Sequence, residues 1–284
     1  MAENLTAFTK QKEYLICVDS DGCAMDTMDI KHLRCFGPCM VSEWGLEKWA
    51  DVILERWNEI NLYSITRGIN RFKGLALALS EINERYCEID DIDTLVNWVE
   101  TSDELSNAAL TRALGKNENS VSLKKALSWS TAVNESINKL PDSEKVPFPL
   151  VGEALCFAHR IADIAIVSSA NYDAVIEEWE RCGILQHTDI VLAQNAGSKA
   201  FCIGELLRRG YKKENVVMCG DAPGDKAAAE KNGVYFYPIL VRREKASWQE
   251  FMDTCLDRLI NGTYGGEYQS QKIKEFITNL GGEK

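Results

Sequence analysis

Four aspartates in two short motifs are the residues whose type and spacing best suit phosphate or metal chemistry. Asp19 and Asp21 stand one residue apart and are followed by Gly22, while Asp221 and Asp225 stand four residues apart. Carboxylates act as nucleophiles, as general acids and bases, and as ligands of hard cations. Four of them in one small site would repel one another without a cation, and an all-oxygen ligand set suits Mg²⁺. Taken singly, each motif is equally compatible with a solvated turn or a helix cap.

Two further positions carry groups that could bind an anion. Ser168 and Ser169 end an apolar run, and their hydroxyls and nearby N–H groups could hold a phosphoryl oxygen. Lys199 begins a segment of helical pattern, where the positive end of the helix dipole disfavours a cation unless an anion binds there. Read alone, these residues are an ordinary turn and an exposed lysine.

The elements that must position these side chains can be predicted from the apolar pattern. Short apolar runs predict five buried strands, at 14–18, 164–168, 190–193, 216–219 and 234–237. Helical segments at 172–182, 200–209 and 226–232 alternate with the last four strands, which predicts an α/β fold with a Rossmann-like parallel sheet. In such a sheet the carboxyl ends of all strands meet at one edge, where ligands bind.

The first two predicted strands are separated by a long insert of helical pattern. Apolar residues from 46 to 60 recur at helical spacing, and further helices are predicted at 74–86, 92–114 and 121–139. We therefore predict a core domain of residues 1–27 and 150–284 and an all-helical cap domain of residues 28–149. The return segment 141–149 holds three of the six prolines and is predicted to be a non-helical linker. Apolar residues after position 265 predict a terminal helix that docks on the core or on a second subunit.

In this order along the chain, the motifs resemble those of the haloacid dehalogenase-like hydrolase superfamily. The resemblance covers roughly residues 8–27 and 150–245. The position of the insert, after the first motif, is similar to that of the helical cap in the phosphoglycolate phosphatase and β-phosphoglucomutase branch. The detailed sequence of the insert indicates no closer relative within this branch.

The resemblance implies a role for each motif residue. It implies that Asp19 is the nucleophile, that Asp21 is the general acid and base, and that Ser168 and Lys199 steady the phosphoryl group. It further implies that Mg²⁺ is held by Asp19, by the backbone carbonyl of Asp21 and by Asp221, with Asp225 as an additional ligand or a support. Ser169 takes the place of Ser168 if the strand ends one residue later.

Three activities are compatible with this resemblance. Magnesium-dependent hydrolysis of a small phosphate monoester is favoured, because members that act on carbon–halogen or carbon–phosphorus bonds generally lack an acid at the position of Asp21. A phosphosugar mutase with the same aspartyl-phosphate and a non-catalytic phosphometabolite-binding protein are the alternatives. One departure is Cys23, where the family usually has threonine or serine.

The insert contains one compact cationic segment, residues 67–74. Its cations Arg67, Arg71 and Lys73 are candidate substrate-binding residues that could contact an anionic part of the substrate. A solvated start of a helix is an equally good interpretation of the same pattern.

Composition excludes some classes of partner. The chain has 32 basic and 43 acidic residues, a net charge of −11 that disfavours nucleic acid and anionic membranes. With no apolar segment suited to a signal peptide or a membrane span, and with ten cysteines expected to be free thiols, a cytoplasmic location is predicted. The expected partner is a small phosphorylated metabolite, and the chain could be a monomer or a homodimer.

Overall fold

A computed structural model describes residues 3–282 and divides the chain into two compact units. One unit is built from the chain up to Met28 and from Pro141 onward, and the other is Asp29–Leu140. None of the helices within residues 3–282 has the length and apolar character needed to cross a membrane.

The first unit contains a five-stranded parallel sheet, which confirms the predicted α/β fold class. The strands are β1 Tyr14–Val18, β2 Ala162–Val167, β3 Ile190–Leu192, β4 Val216–Gly220 and β5 Tyr235–Pro238. Their order is β3-β2-β1-β4-β5, with every neighbouring pair parallel. Almost every strand residue is buried, as expected for strands covered by helices on both faces.

The first unit contains the helices predicted at 172–182, 200–209 and 226–232 and after residue 265, together with others that were not predicted. They are Glu3–Ala7, Val151–Ala158, Tyr172–Arg181, Lys199–Leu207, Pro223–Asn232, Glu244–Glu250, Leu256–Ile260 and Glu267–Asn279, with a π-helical turn at Phe251–Cys255 and short 3₁₀ turns at Asp142–Glu144, Leu185–His187, Gln194–Ala196 and Lys213–Asn215. The terminal helix docks on the core, where the Phe276 ring packs edge-on against Phe236 at 5.2 Å.

The second unit is entirely helical. Its helices, the first of which starts at the unit boundary, are Met28–Lys31, Gly37–Trp44, Ala50–Asn58, Arg71–Arg85, Ile92–Thr101, Asn107–Leu114 and Val121–Asn138, with π-helical turns at His32–Phe36 and Glu59–Tyr63 and a 3₁₀ turn at Glu47–Trp49. The segment predicted as one helix at 92–114 is two, because Ser106 caps the second by accepting a hydrogen bond from Ala109 N. Trp57 and Trp129 are fully buried in the apolar core of the second unit, with ring centroids 6.0 Å apart.

The proline-containing segment 141–149 groups with the sheet-containing unit, whereas the sequence grouped it with the cap. Asp26 N donates to Val146 O at 2.8 Å and Phe148 N donates to Ala24 O at 2.9 Å. These backbone hydrogen bonds join the returning chain to the turn that follows β1. Such pairing between distant backbone segments leaves no periodic signal in the sequence.

Candidate active site

Strand register brings Asp19 and Asp221 to the same edge of the sheet. Val18 at the end of β1 lies opposite Cys219 in β4, and Asp19 N donates to Cys219 O at 3.0 Å. Asp225 joins them, and one carboxylate oxygen from each of the three aspartates lies within 4.8 Å of the others. We call these three side chains the carboxylate cluster.

The position of Asp225 depends on a glycine. Asp225 lies in the first turn of the helix Pro223–Asn232, and its Oδ2 accepts a hydrogen bond from Ala222 N at 3.1 Å. Its side chain packs so closely over Gly220 that a Cβ added there would lie 2.3 Å from Asp225 Cβ. Gly220, the last residue of β4, is therefore needed for the carboxylate cluster to form.

Lys199 supplies the cation of this site. Its Nζ lies 2.9 Å from Asp19 Oδ2 and 2.5 Å from Asp225 Oδ1, and its side chain is only 15% exposed. Lys199 is the first residue of its helix, which Ser198 caps by accepting a hydrogen bond from Phe201 N. The two carboxylates offset the unfavourable helix dipole and explain a cation at this position.

The pKa values in the cluster are perturbed in the way that burial and charge predict. Burial raises the pKa of Asp19 to about 6, Lys199 acts in the opposite direction, and Asp225 adds to the increase. Burial likewise raises the pKa of Asp225. Burial acts to lower the pKa of Lys199, but the adjacent carboxylates outweigh it and raise that pKa above the usual lysine value. Three carboxylates facing one ammonium group leave an excess of negative charge that a divalent cation would offset.

Asp21 lies beside the cluster in the turn after β1 rather than within it. Its Oδ1 accepts a hydrogen bond from Thr27 Oγ1 at 2.5 Å, and its side chain is partly exposed. Gly22 has a φ of +81°, a conformation that suits glycine, and its N–H donates to Met25 O at 2.9 Å. Asp21 is thus held in a tight turn with one carboxylate oxygen fixed.

Comparison with known protein families identifies the family of this chain. A model of the haloacid dehalogenase-like hydrolase family matches residues 92–239, more than half of the chain. The protein belongs to the haloacid dehalogenase-like hydrolase family. The matched region of this hydrolase contains Lys199 and both distal aspartates, while Asp19 lies outside it. No curated protein has a sequence that matches significantly.

A solved structure of low sequence identity is similar in fold, and a second was matched with a lower score. A protein from Lactobacillus delbrueckii subsp. bulgaricus, provisionally named a phosphoglycolate phosphatase, is 14% identical with a TM-score of 0.50, and the match covers 80% of this hydrolase and 85% of that chain. A protein from Thermotoga maritima, provisionally named a β-phosphoglucomutase, is 17% identical with a TM-score of 0.40. The match covers 79% of this hydrolase and 84% of that chain. At 14% identity the likeness to the Lactobacillus protein concerns the fold alone.

In this hydrolase Ser168 and Ser169 follow β2 directly. β2 ends at Val167, and its register places Ile166 opposite Val18, so both serines lie at the same sheet edge as Asp19. Ser168 is buried and its Oγ accepts a hydrogen bond from Ala170 N at 3.1 Å, whereas Ser169 is exposed.

The three cations predicted to bind substrate lie in the helical unit Asp29–Leu140, in different surroundings. Arg67 is buried, and its Nη1 donates to Leu62 O at 2.7 Å and lies 4.0 Å from an Asp29 carboxylate oxygen. Arg71 Nη1 donates to Ser130 Oγ at 3.1 Å and to Asn134 Oδ1 at 2.8 Å. Lys73 is exposed. Their part in substrate binding stays a prediction.

Sequence reasoning missed two residues that support the site. Thr27 binds the Asp21 carboxylate, and Asn232 Nδ2 donates to Ala200 O at 2.9 Å, next to Lys199. The sequence offered only a weak signal for Thr27, namely a hydroxyl-bearing residue six positions after Asp21. The contact of Asn232 joins two helices, and no local pattern indicates it.

Proposed function

We propose that this protein hydrolyses a small phosphate monoester in a magnesium-dependent reaction that passes through an aspartyl-phosphate on Asp19. The observation that carries the proposal is the largely buried Lys199 ammonium group between Asp19 and Asp225, with Asp221 in the same cluster. A carboxylate held beside a fixed cation is arranged for attack on an anionic substrate, because the cation offsets the repulsion between them.

The residues present suit Mg²⁺. Oxygens of Asp19, Asp221 and Asp225 lie within 4.8 Å of one another, and Mg²⁺ prefers oxygen ligands of this kind. These three residues would hold the ion, together with the backbone carbonyl of Asp21. When bound, Mg²⁺ would offset the charge of the substrate phosphate and of the carboxylates.

The chemistry of the chain's own residues divides into two steps. In the first, an oxygen of Asp19 bonds to phosphorus while the ester oxygen leaves with a proton from Asp21. In the second, water attacks the same phosphorus, its proton passes to Asp21, and the bond between phosphorus and Asp19 breaks. Lys199 and the hydroxyl and N–H groups of residues 168 and 169 would steady the phosphoryl oxygens.

We assign selection of the substrate, a small phosphorylated metabolite, to the cap cations Arg67, Arg71 and Lys73. Arg71 supports this assignment best. Burial lowers the pKa of Arg71, and among the described residues no carboxylate lies within ion-pair distance of its guanidinium group. A mostly buried cation with only neutral partners favours an anionic ligand.

Release of inorganic phosphate from an aryl phosphate tests the proposal. Wild type should be active with Mg²⁺ and inactive with excess chelator, and Asp19→Asn should lose activity by at least about 1,000-fold. Asp253→Asn removes an exposed carboxylate of the same unit and should leave activity unchanged. An active Asp19→Asn protein would contradict the role of Asp19, and transfer of the phosphoryl group to a sugar hydroxyl instead of water would favour a mutase.

A further inference from the structure

A buried hydrogen bond holds the one residue that separates Asp19 from Asp21. Nε1 of Trp179 donates to Ser20 Oγ at 2.9 Å, and both residues are fully buried. Trp179 lies in the helix Tyr172–Arg181, 159 residues away along the chain. A buried serine hydroxyl and a buried indole N–H each need a partner, and here they satisfy one another.

The backbone of Ser20 is the centre of the turn that carries the two carboxylates. Its carbonyl oxygen accepts hydrogen bonds from three successive N–H groups, those of Cys23 at 3.3 Å, Ala24 at 3.0 Å and Met25 at 2.8 Å. Beyond the turn, Nε1 of Trp248 donates to Cys23 O at 3.1 Å. Two indoles from different helices therefore hold this turn.

Fixing Ser20 fixes the direction of both neighbouring side chains. Ser20 lies between the two aspartates in the chain, so its φ and ψ angles set how the Asp19 and Asp21 side chains are oriented relative to one another. Rotation of the backbone at Ser20 would turn Asp21 relative to Asp19. The hydrogen bond from Trp179 opposes that rotation, because it holds the Ser20 side chain against a helix packed in the core.

We infer that Trp179 is a positioning residue for the Asp19 and Asp21 carboxylates and acts through the hydroxyl of Ser20. The inference rests on the proposed function, since it concerns the geometry of the nucleophile and of the acid and base. Misplacement of a reacting group by about 1 Å can lower a rate by about 100-fold. Loss of a single neutral hydrogen bond should give a smaller defect, because the backbone bonds of the turn remain.

Kinetics of two single variants and the double variant test the inference. Trp179→Phe keeps an aromatic ring and removes the donor, and Ser20→Ala removes the acceptor. Each should lower kcat for an aryl phosphate about five- to tenfold with KM changed less than about twofold. The double variant should have nearly the kcat of the single variants, because the second substitution removes nothing that the first has left intact.

A matched control separates positioning from a general loss of stability. Tyr264→Phe removes another buried hydrogen bond to the core, from Tyr264 OH to Phe236 O at 2.7 Å, and should leave kcat unchanged. Equal loss of kcat in Tyr264→Phe and Trp179→Phe, or wild-type kcat in Trp179→Phe, would overturn the inference. If Trp179→Phe does not fold, Ser20→Ala decides alone. An inactive wild type would instead overturn the proposed function.

Discussion

Individual side chains in this protein are placed by charge balance and by close packing. Asp19, Asp221 and Asp225 are buried together, which is costly unless their charges are offset. Lys199 contacts two of them and offsets part of that charge. Gly220 leaves room for Asp225, so the cluster depends on a residue without a side chain as much as on its acids.

Gly220→Ala should disrupt the cluster. The added Cβ would lie 2.3 Å from Asp225 Cβ and Cγ, so Asp225 would have to move away from Lys199. We expect the proposed phosphatase activity to fall by at least about 100-fold, because a misplaced reacting group lowers a rate by about that factor. Gly224→Ala, in the first turn of the helix that follows, is the matched control, because a Cβ there has no neighbour within 4 Å. Equal activity of the two variants would contradict the prediction.

Binding of Mg²⁺ should depend on pH through Asp19. Burial raises the pKa of Asp19 to about 6, so below that pH the ion must displace a proton. We expect the affinity for Mg²⁺, measured calorimetrically, to fall about tenfold for each pH unit below about 6 and to level off above it. The same affinity at about pH 5 and about pH 7 would show that protons do not compete with Mg²⁺ for the Asp19 carboxylate.

Among the secondary-structure elements, the parallel sheet and two helices do most of the positioning. Parallel register brings the residues after β1, β2 and β4 to one edge. The helices Lys199–Leu207 and Pro223–Asn232 each carry one partner of the ion pair between Lys199 and Asp225. Asn232 joins these helices through its hydrogen bond to Ala200 O, and Gly204 allows the close approach.

Asn232→Ala should weaken the contact between the two helices. The substitution removes hydrogen bonds from Nδ2 to Ala200 O and Ala228 O, both 2.9 Å long. We expect the free energy of unfolding to fall by about 1 to 2 kcal/mol, measured by urea denaturation. Lys231→Ala, at the exposed neighbouring position, should change it by less than about 0.5 kcal/mol. A larger loss in Lys231→Ala than in Asn232→Ala would contradict this account.

The chain forms two compact units, and the carboxylate cluster belongs entirely to the discontinuous one. Asp19 precedes the helical unit Asp29–Leu140 in the sequence, whereas Asp221 and Asp225 follow it. The cluster therefore exists only when distant parts of the chain have folded together. A ligand that binds only the folded state raises its stability by mass action.

Mg²⁺ should therefore stabilise the folded protein. At a concentration of about 100 times Kd the expected gain is about 2.7 kcal/mol, seen as a higher melting temperature. Asp221→Asn should abolish most of this gain, because one ligand loses its charge, whereas Asp253→Asn should retain it. An equal increase in the melting temperature of wild type, Asp221→Asn and Asp253→Asn would mean that the ion binds elsewhere.

Much of the fold and part of the site could be predicted because they depend on local patterns. Apolar runs predicted the five strands within two residues, and the interval between the first two predicted the inserted helices. Parallel topology then implied that Asp19, Asp221 and Asp225 share one sheet edge. The helices between residues 244 and 260 were not predicted, and the segment 92–114 divides into two helices.

The sequence by itself determined which acids and which lysine are present, and on which elements they lie. Only the tertiary structure decided their partners: Thr27 for Asp21, Trp179 for Ser20, and the contact of Gly220 with Asp225. It also placed segment 141–149 with the sheet-containing unit. The physical reason is that periodicity records which face of an element is buried, whereas hydrogen bonds and van der Waals contacts between distant residues depend on how the whole core packs.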